Sequence, residues 1–245
     1  MPAAASPAWL AYPMATDSAF ATLLDRLART ALFYSPLRHF SLYRYRYAFS
    51  PTQLCALVSL VDEARRVPGD FAEVGCYRGY TTAFLNRHLD EVCPDRRYLV
   101  IDTFGGFTPA SVDTEVATRG KCADDRAFQK FTVNSRRVFE ATMRLNGIRR
   151  VDILAGDVAA VALPPARRFC FGLVDVDLYA PSVAALDLLW SRLSPGGLLV
   201  VDDCQVDHVY DGSRQALEEF ARARALPFEI LAGKLGVLRK PAVGC

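Results

Sequence analysis

The chain has 245 residues, is 51% hydrophobic and 23% charged, and carries a formal net charge of +2 at pH 7. These values are typical of a globular α/β domain with an extension, and they exclude a general electrostatic attraction to nucleic acid or to a membrane surface. The seven cysteines form no C-x-x-C pair, and neither a secretory signal nor a membrane-spanning segment is evident, so we expect reduced thiols and a cytoplasmic protein.

Two helices are predicted at the start of the chain. Apolar spacing predicts the first over residues 17–33, and Ser50 followed by Pro51 predicts a second that runs to about Arg66. Between them, residues 34–50 are aromatic and basic, and Tyr43, Tyr45 and Tyr47 alternate there with Arg44 and Arg46. A substrate-binding wall, a dimer contact and an edge strand all remain open for that stretch.

Strands and helices alternate from residue 70 onward. The predicted strands cover 71–75, 98–102, 151–154, 170–176 and 198–202, the helices 79–91, 124–146, 181–193 and 212–225, and a terminal hairpin 228–231 and 236–239. This alternation indicates βαβ units and a largely parallel sheet with helices on both faces. Residues 105–135 show few regular signals and form a long connection of the kind that often acts as a lid.

A glycine-containing loop follows the first of these strands, in the segment Glu73–Gly79. Gly75 and Gly79 allow a tight turn and a close backbone approach to a ligand, and the next helix offers its N-terminus to an anion. The loop lacks a glycine of the dinucleotide fingerprint and the Lys-Ser/Thr of a phosphate loop. It therefore fits a cofactor without pyrophosphate, such as S-adenosylmethionine, although an ordinary strand-to-helix turn is an equally good interpretation.

Carboxylates accompany the other strand ends as well. Asp102 ends the second strand, where a carboxylate can accept hydrogen bonds from ribose hydroxyls, and Asp157 follows the third strand, where an adenine would lie. A solvated strand end or a helix cap is the alternative for each.

The strongest feature is an acidic cluster after the fourth and fifth strands. Asp175 and Asp177 are two residues apart and point to the same side of an extended backbone, while Asp202 and Asp203 are adjacent. Four carboxylates without a cation would repel one another, and oxygen ligands select Mg2+ over zinc. The alternative is a set of separate, solvated acids.

Four segments of the chain resemble sequences of the macrocin O-methyltransferase family: Glu73–Gly79, Phe131–Ser135, Asp175–Ser182 and Leu193–Asp203. The resemblance covers roughly residues 68–240. It implies a class I methyltransferase Rossmann-like α/β fold, with a mostly parallel seven-stranded sheet, helices on both faces and an antiparallel C-terminal strand. It also implies a methyltransferase domain at 68–245, preceded by a helical extension or cap at 1–67.

The resemblance further implies the roles of the site residues. Asp175, Asp202 and Asp203 would hold Mg2+, and Asp177 would be the catalytic base. The cofactor-binding residues would be Glu73, Gly75, Tyr77, Gly79, Asp102, Thr103, Phe104, Asp157 and Asp175. The chain departs from the family pattern where the acceptor should dock, at Gly105, Val176, Ala180, Pro181 and Cys204.

The implied reaction is S-adenosylmethionine-dependent, Mg2+-assisted O-methylation of a sugar or glycosylated natural product. The expected partners are a small-molecule hydroxyl acceptor, glycoside or phenolic, and further copies of this chain in a homo-oligomer such as a dimer, with neither nucleic acid nor membrane. His208, just beyond the acidic pair, is a candidate acceptor contact. The alternatives are a metal-dependent methyltransferase of catechol-like phenols, a non-catalytic nucleotide-binding protein of the same fold, and a Mg2+-dependent phosphohydrolase.

Overall fold

The computed structural model describes residues 19–40, 45–122, 126–206 and 208–242. The chain divides into two compact units, Met1–Tyr47 and Ala48–Cys245. In the first unit, helix α1 spans Ala19–Tyr34 and a 3-10 helix spans Pro36–Phe40. Part of the tyrosine- and arginine-rich stretch, residues 41–44, lies outside the described residues, and the rings of Tyr45 and Tyr47 stand 5.5 Å apart.

The second unit contains a seven-stranded sheet and the remaining helices. Its strands are β1 (Asp70–Val74), β2 (Tyr98–Asp102), β3 (Val151–Ala155), β4 (Phe169–Val174), β5 (Leu193–Val201), β6 (Phe228–Leu231) and β7 (Leu235–Arg239). Its helices are α2 (Pro51–Ala64), α3 (Tyr80–Val92), α4 (Pro109–Arg119), α5 (Arg136–Leu145), α6 (Tyr179–Arg192) and α7 (Gly212–Ala223), with a 3-10 helix at Arg126–Gln129. Within the described ranges, no helix has the length and apolar character needed to cross a bilayer.

The sheet has the strand order β3-β2-β1-β4-β5-β7-β6. Strands β1 to β5 are parallel, whereas β7 pairs antiparallel with both β5 and β6. The fold class predicted from the sequence is therefore confirmed. The strand order reverses between β1 and β4, which is the point where open α/β sheets bind ligands. Because β7 is antiparallel to β5, the β6–β7 turn lies at the edge where β5 ends, and Val201 pairs with Gly236 there.

Helix α2 belongs to the second unit, so this unit begins at Ala48, upstream of the domain start at residue 68 expected from the sequence. The helix packs against β4, β5 and α3, and this packing makes it part of the same core. The helix begins at Pro51, as the Ser-Pro signal predicted, and Ser50 and Gln53 form a reciprocal capping box at its N-terminus. A role of the N-terminal residues as a cap stays a prediction.

The segment 105–135 differs from its prediction. It contains helix α4 and a 3-10 helix rather than an irregular connection, and the helix predicted over 124–146 is confined to α5. Thr108 caps α4, Pro109 is its first residue, and Gly120 ends it at φ 69°. These signals are present in the sequence, but the residues that α4 buries are Ser111 and Glu115, so apolar periodicity could not reveal the helix.

Buried polar contacts hold α4 in place. Glu115 is 2% exposed; its Oε1 accepts a hydrogen bond from the Tyr179 backbone N–H at 2.7 Å, and its Oε2 lies 2.7 Å from Arg119 Nε. Arg119 also pairs with Asp211 at 2.6 Å. One ionic network thus connects α4 with the starts of α6 and α7, and such pairing lowers the cost of burying the charges.

Another carboxyl group is buried in the sheet itself. Glu73 on β1 is 1% exposed, and its Oε2 accepts hydrogen bonds from the Thr82 hydroxyl at 2.7 Å and the Tyr98 hydroxyl at 2.9 Å. These bonds join β1 to α3 and to β2. Burial raises the pKa of Glu73 to about 7.

We expect the substitution Glu73→Gln to change how stability depends on pH. The pKa of Glu73 rises from an ordinary 4.5 to about 7 on folding, so its stabilising effect is complete below about pH 4.5 and is lost as the pH rises through 7. At about 1.4 kcal/mol per pKa unit, the loss amounts to about 3 kcal/mol. Urea unfolding between pH 5 and 8 should show the wild type weakening relative to E73Q; parallel pH curves would contradict this.

Candidate functional site

The glycine loop after β1 passes directly over the end of β4. Gly75 has φ +84°, and a Cβ atom added there would lie 1.8 Å from the backbone oxygen of Asp175. Gly79 has φ +80°, and its Cβ would lie 2.7 Å from the terminal methyl carbon of Met143 on α5. Both positions therefore require glycine, for conformation and for space.

Asp102 binds this loop from the end of β2. Its Oδ2 accepts hydrogen bonds from the backbone N–H groups of Cys76 and Tyr77, both at 2.8 Å, and its Oδ1 accepts one from Phe104 N–H at 2.6 Å. A carboxylate has about four acceptor positions, so these three bonds leave capacity for one more donor. The sequence did not predict this loop-holding role, and the ribose contact that it did predict stays a prediction.

The other predicted cofactor residues lie around the same loop. The Thr103 hydroxyl donates to the Gly106 carbonyl at 2.7 Å, and buried Phe104 packs on Phe139 with ring centroids 5.6 Å apart. Asp157 Oδ1 accepts a hydrogen bond from Ala159 N–H at 2.9 Å, which is the capping arrangement considered as its alternative. Glu73 directs its carboxyl group into the core, so direct contact of Glu73 or Asp157 with a cofactor stays a prediction.

The four aspartates of the acidic cluster stand at two neighbouring strand ends. The backbone N–H of Asp175 donates to the Val74 carbonyl, and that of Asp202 donates to the Val174 carbonyl, both at 2.8 Å. These bonds keep the ends of β1, β4 and β5 level. Asp177 and Asp203 adopt left-handed backbone conformations, at φ 63° and 55°, which non-glycine residues adopt mainly in turns and at functional sites.

Burial and like charge perturb these acids strongly. Burial raises the pKa of Asp175 and Asp177 well above the ordinary value. Repulsion from Asp202 adds to the shift of Asp175, and a side-chain hydrogen bond with Asp203 adds to that of Asp177. Burial also raises the pKa of Asp202, to about 6, although Lys234 opposes that shift. The cluster therefore favours retained protons or a nearby cation.

Lys234 supplies one such cation, and the sequence analysis missed it. Its Nζ lies 2.6 Å from Asp202 Oδ2 and 3.5 Å from Asp203 Oδ1. Burial opposes its charge, but Asp202 and Asp203 outweigh that effect and raise the pKa of Lys234. The antiparallel terminal hairpin was a usable signal, because its turn must return to the edge where β5 ends.

The cluster fits a hard divalent cation by its donor chemistry. All four side chains offer carboxylate oxygens, and the buried Oδ1 of Asp202 has no hydrogen-bond partner. Within the described part of the chain, however, no three acidic, histidine or cysteine side chains are already arranged as a set of metal ligands. Lys234 engages Asp202 in this arrangement, so ligation requires these side chains to reorient.

A row of aromatic rings extends from the glycine loop toward the aspartates. Tyr77 contacts Phe131 with ring centroids 5.2 Å apart, Phe131 contacts Phe107 at 5.5 Å, and Phe107 contacts Tyr210 at 6.1 Å. His208 follows at 5.6 Å from Tyr210, and its Nδ1 lies 3.9 Å from Asp203 Oδ2. The structure thus places His208 beside the acidic pair. Of these rings, only Tyr77 and His208 were predicted from the sequence as candidate site residues.

The family profile described as macrocin-O-methyltransferase (TylF) matches residues 52–232. This chain belongs to the macrocin-O-methyltransferase family. The resemblance of its motifs to that family is therefore confirmed. The match begins inside α2, which agrees with the packing of α2 into the second unit.

Relatives of this family member include a named enzyme. This chain is 30% identical, over 171 residues, to the 8-demethyl-8-(2,3-dimethoxy-alpha-L-rhamnosyl)-tetracenomycin-C 4'-O-methyltransferase of Streptomyces olivaceus. The alignment covers 65% of this chain and 60% of that protein. The chain thus aligns with about 60% of the length of this curated relative.

Solved structures share the fold of this family member. The O-methyltransferase NovP superposes with a TM-score of 0.64 at 20% identity, covering 81% of this chain and 83% of NovP. The calicheamicin methyltransferase CalS11 gives a TM-score of 0.63 at 22% identity, covering 91% of this chain and 93% of CalS11. These similarities establish the class I methyltransferase fold.

We expect the substitution Gly75→Ala to destabilise the protein by more than about 2 kcal/mol, because the added carbon meets backbone and the residue has positive φ. Gly105→Ala is the matched control, since its Cβ would meet only the Thr103 carbonyl oxygen at 3.9 Å. It should change stability by less than about 0.5 kcal/mol. Urea unfolding measures both, and equal stabilities of the two variants would refute the assigned constraint.

Proposed function

We propose that this chain is an S-adenosylmethionine-dependent, Mg2+-assisted O-methyltransferase that acts on a hydroxyl of a sugar or glycosylated natural product. The observation that carries the proposal is the cluster of Asp175, Asp177, Asp202 and Asp203 beside the glycine loop, in a member of the macrocin-O-methyltransferase family. Asp202 and Asp203 are buried in this cluster, and Asp175 and Asp177 are partly exposed. The name of the curated relative, which describes 4'-O-methylation of a rhamnosyl tetracenomycin, supports a sugar hydroxyl as the acceptor.

In this proposal the cofactor lies against the glycine loop. The residues that would line it are Glu73, Gly75, Tyr77, Gly79, Asp102, Thr103, Phe104, Asp157 and Asp175. Asp102 fixes the loop through two backbone N–H groups, and its remaining acceptor capacity suits a ribose hydroxyl. Glu73 stabilises the helix that follows the glycine loop, because its Oε2 accepts a hydrogen bond from Thr82 in the first turn of α3. S-adenosylmethionine supplies an activated methyl group on sulfur.

Asp175, Asp202 and Asp203 would hold the Mg2+ ion. The unpartnered Oδ1 of Asp202 supports this assignment, since a buried carboxylate oxygen without a partner is costly. Bound there, Mg2+ would lower the pKa of an acceptor hydroxyl and fix its position.

Asp177 is the proposed base. It stands beside the three ligand aspartates in a left-handed turn, and burial raises its pKa well above the ordinary range. Asp177 would accept the proton of the acceptor hydroxyl, because the lower pKa of a metal-bound hydroxyl makes this transfer to a carboxylate less unfavourable. The aromatic row from Tyr77 to Tyr210 offers apolar faces on which an acceptor ring would be positioned for in-line methyl transfer.

The sequence also led us to expect a cytoplasmic homo-oligomer, and we retain this as part of the proposal. The cysteines of the described ranges are free thiols, which fits a reducing compartment. Light scattering during size-exclusion chromatography measures the oligomeric state directly.

The class of reaction is tested by calorimetry and a methylation assay. We expect S-adenosylmethionine and its demethylated product to bind, and methyl transfer to a glycoside that carries a vicinal diol to require Mg2+. A catechol serves as the competing acceptor. Absence of cofactor binding would rule out the methyltransferase proposal, and faster methylation of the catechol would replace the sugar with a phenol.

We expect the isosteric substitution Asp202→Asn to abolish Mg2+-dependent turnover, because it removes one ligand charge from the cluster. The dissociation constant of S-adenosylmethionine should stay within about twofold, since the change does not touch the glycine loop. Turnover assays with and without a chelator, together with calorimetry, measure the two effects. Full activity of D202N in the presence of chelator would eliminate the metal assignment.

We expect Asp177→Asn to lower kcat by about 10²- to 10⁴-fold, the range typical for loss of a general base, while KM changes little. The control is Asp187→Asn on α6, because Asp187 is exposed and, within the described part of the chain, forms an ion pair only with Arg224, at 2.7 Å. Steady-state kinetics with the glycoside acceptor distinguish the two variants. Wild-type kcat in D177N would remove Asp177 from the chemistry.

A further inference from the structure

Lys234 reaches the acidic cluster from the turn between β6 and β7. Its backbone is held there on both sides: the Cys204 N–H donates to the Lys234 carbonyl at 2.8 Å, and the Lys234 N–H donates to the Leu231 carbonyl at 3.2 Å. Cys204 directly follows Asp203, so the lysine backbone is attached beside the acidic pair. The position of Lys234 is therefore set by the hairpin rather than by an accident of side-chain rotation.

Among the described residues, the ammonium group of Lys234 contacts two carboxylates and one aromatic ring. The carboxylate oxygens are Asp202 Oδ2 at 2.6 Å and Asp203 Oδ1 at 3.5 Å. The ring is that of Phe49, whose centroid is 4.3 Å from Nζ. Only 11% of the lysine side chain is exposed, so these interactions are weakly screened by solvent.

We propose that Lys234 is a tethered cation that occupies Asp202 and Asp203 when no metal is bound, and that a divalent cation must displace its ammonium group to bind. This inference rests on the Mg2+ assignment of the proposed function. It makes Lys234 a determinant of metal affinity: the residue weakens metal binding and stabilises the metal-free site.

Electrostatics supports both parts of this role. Without a cation, the carboxylates of Asp175, Asp177, Asp202 and Asp203 repel one another, and the ammonium group offsets part of that repulsion. When a divalent cation approaches the same oxygens, repulsion between the two positive charges opposes its binding. Lysine suits this function because its charge sits on a flexible four-carbon stem.

Phe49 gives the displaced ammonium group a partner that is not a metal ligand. The ring is buried, and the face of an aromatic ring attracts a cation, more strongly when both are shielded from water. The ammonium group can therefore move off Asp202 without losing every favourable contact. An exchange between carboxylates and ring is thus physically accessible.

Titration with Mn2+ tests the proposal, with free Mn2+ followed by electron paramagnetic resonance. We expect Lys234→Met to bind Mn2+ at least tenfold more tightly than the wild type. The control is Lys240→Met. Lys240 directly follows β7, as Lys234 directly precedes it, but its ammonium group donates to the Trp190 and Leu193 carbonyls, each at 2.8 Å. K240M should bind Mn2+ as the wild type does.

Thermal unfolding supplies a second readout that does not depend on catalysis. Without metal, K234M should melt at a lower temperature than the wild type. Saturating Mn2+ should raise the melting temperature of K234M by more than it raises that of the wild type. Lys234→Gln is the second uncharged variant, for use in both measurements if methionine prevents folding, since its amide still donates a hydrogen bond to the aspartates.

The possible results are distinguishable. Undetectable Mn2+ binding by the wild type, with binding by K234M, supports the proposal in its strongest form. Equal or weaker Mn2+ affinity of K234M and K234Q overturns it and leaves the metal assignment standing. If neither the wild type nor any variant binds Mn2+, both the proposal and the metal assignment are overturned. Cofactor calorimetry still tests the methyltransferase proposal independently.

Discussion

The mutual repulsion of four aspartates at the ends of β4 and β5 is the constraint on which the rest of the site depends. Two of these residues are almost fully buried, at 4% exposure for Asp202 and 8% for Asp203. Such a cluster is compatible with a folded protein only if protons or cations reduce its charge. The raised pKa values of Asp175 and Asp177 and the ammonium group of Lys234 are two responses to this single requirement.

The glycine loop and the aspartate cluster are physically continuous. Gly75 lies against the backbone oxygen of Asp175, where even a methyl group would not fit. Asp102 binds the same loop from the other side through the backbone of Cys76 and Tyr77. The loop is therefore held between two strand ends, and its position relative to the aspartates is determined by backbone contacts. This rigidity is what a reaction that depends on alignment of cofactor and acceptor requires.

The region around α4 is built differently, from polar contacts and aromatic rings. Glu115 and Arg119 anchor α4 through buried charges, and the rings of Phe107, Phe131 and Tyr210 pack together next to it. In the proposed function, this region selects the acceptor while the sheet edge performs the chemistry. Such a division agrees with the general tendency of α/β enzymes to carry specificity on connecting segments and catalysis at strand ends.

The alternation of strands and helices, the glycine loop and the acidic residues could all be predicted from the sequence, because period, caps and motifs are local properties of the chain. The terminal hairpin was also predicted, at 228–231 and 236–239, and the observed strands are Phe228–Leu231 and Leu235–Arg239. The folded arrangement was needed to show that Lys234 enters the acidic cluster, that Asp102 binds the loop, and that α4 packs through Glu115. Each of these contacts joins residues at least 25 positions apart in the chain. Asp202 and Lys234, for example, are 32 positions apart. No local pattern encodes such a pairing, because it arises only when the sheet brings remote strand ends to one edge.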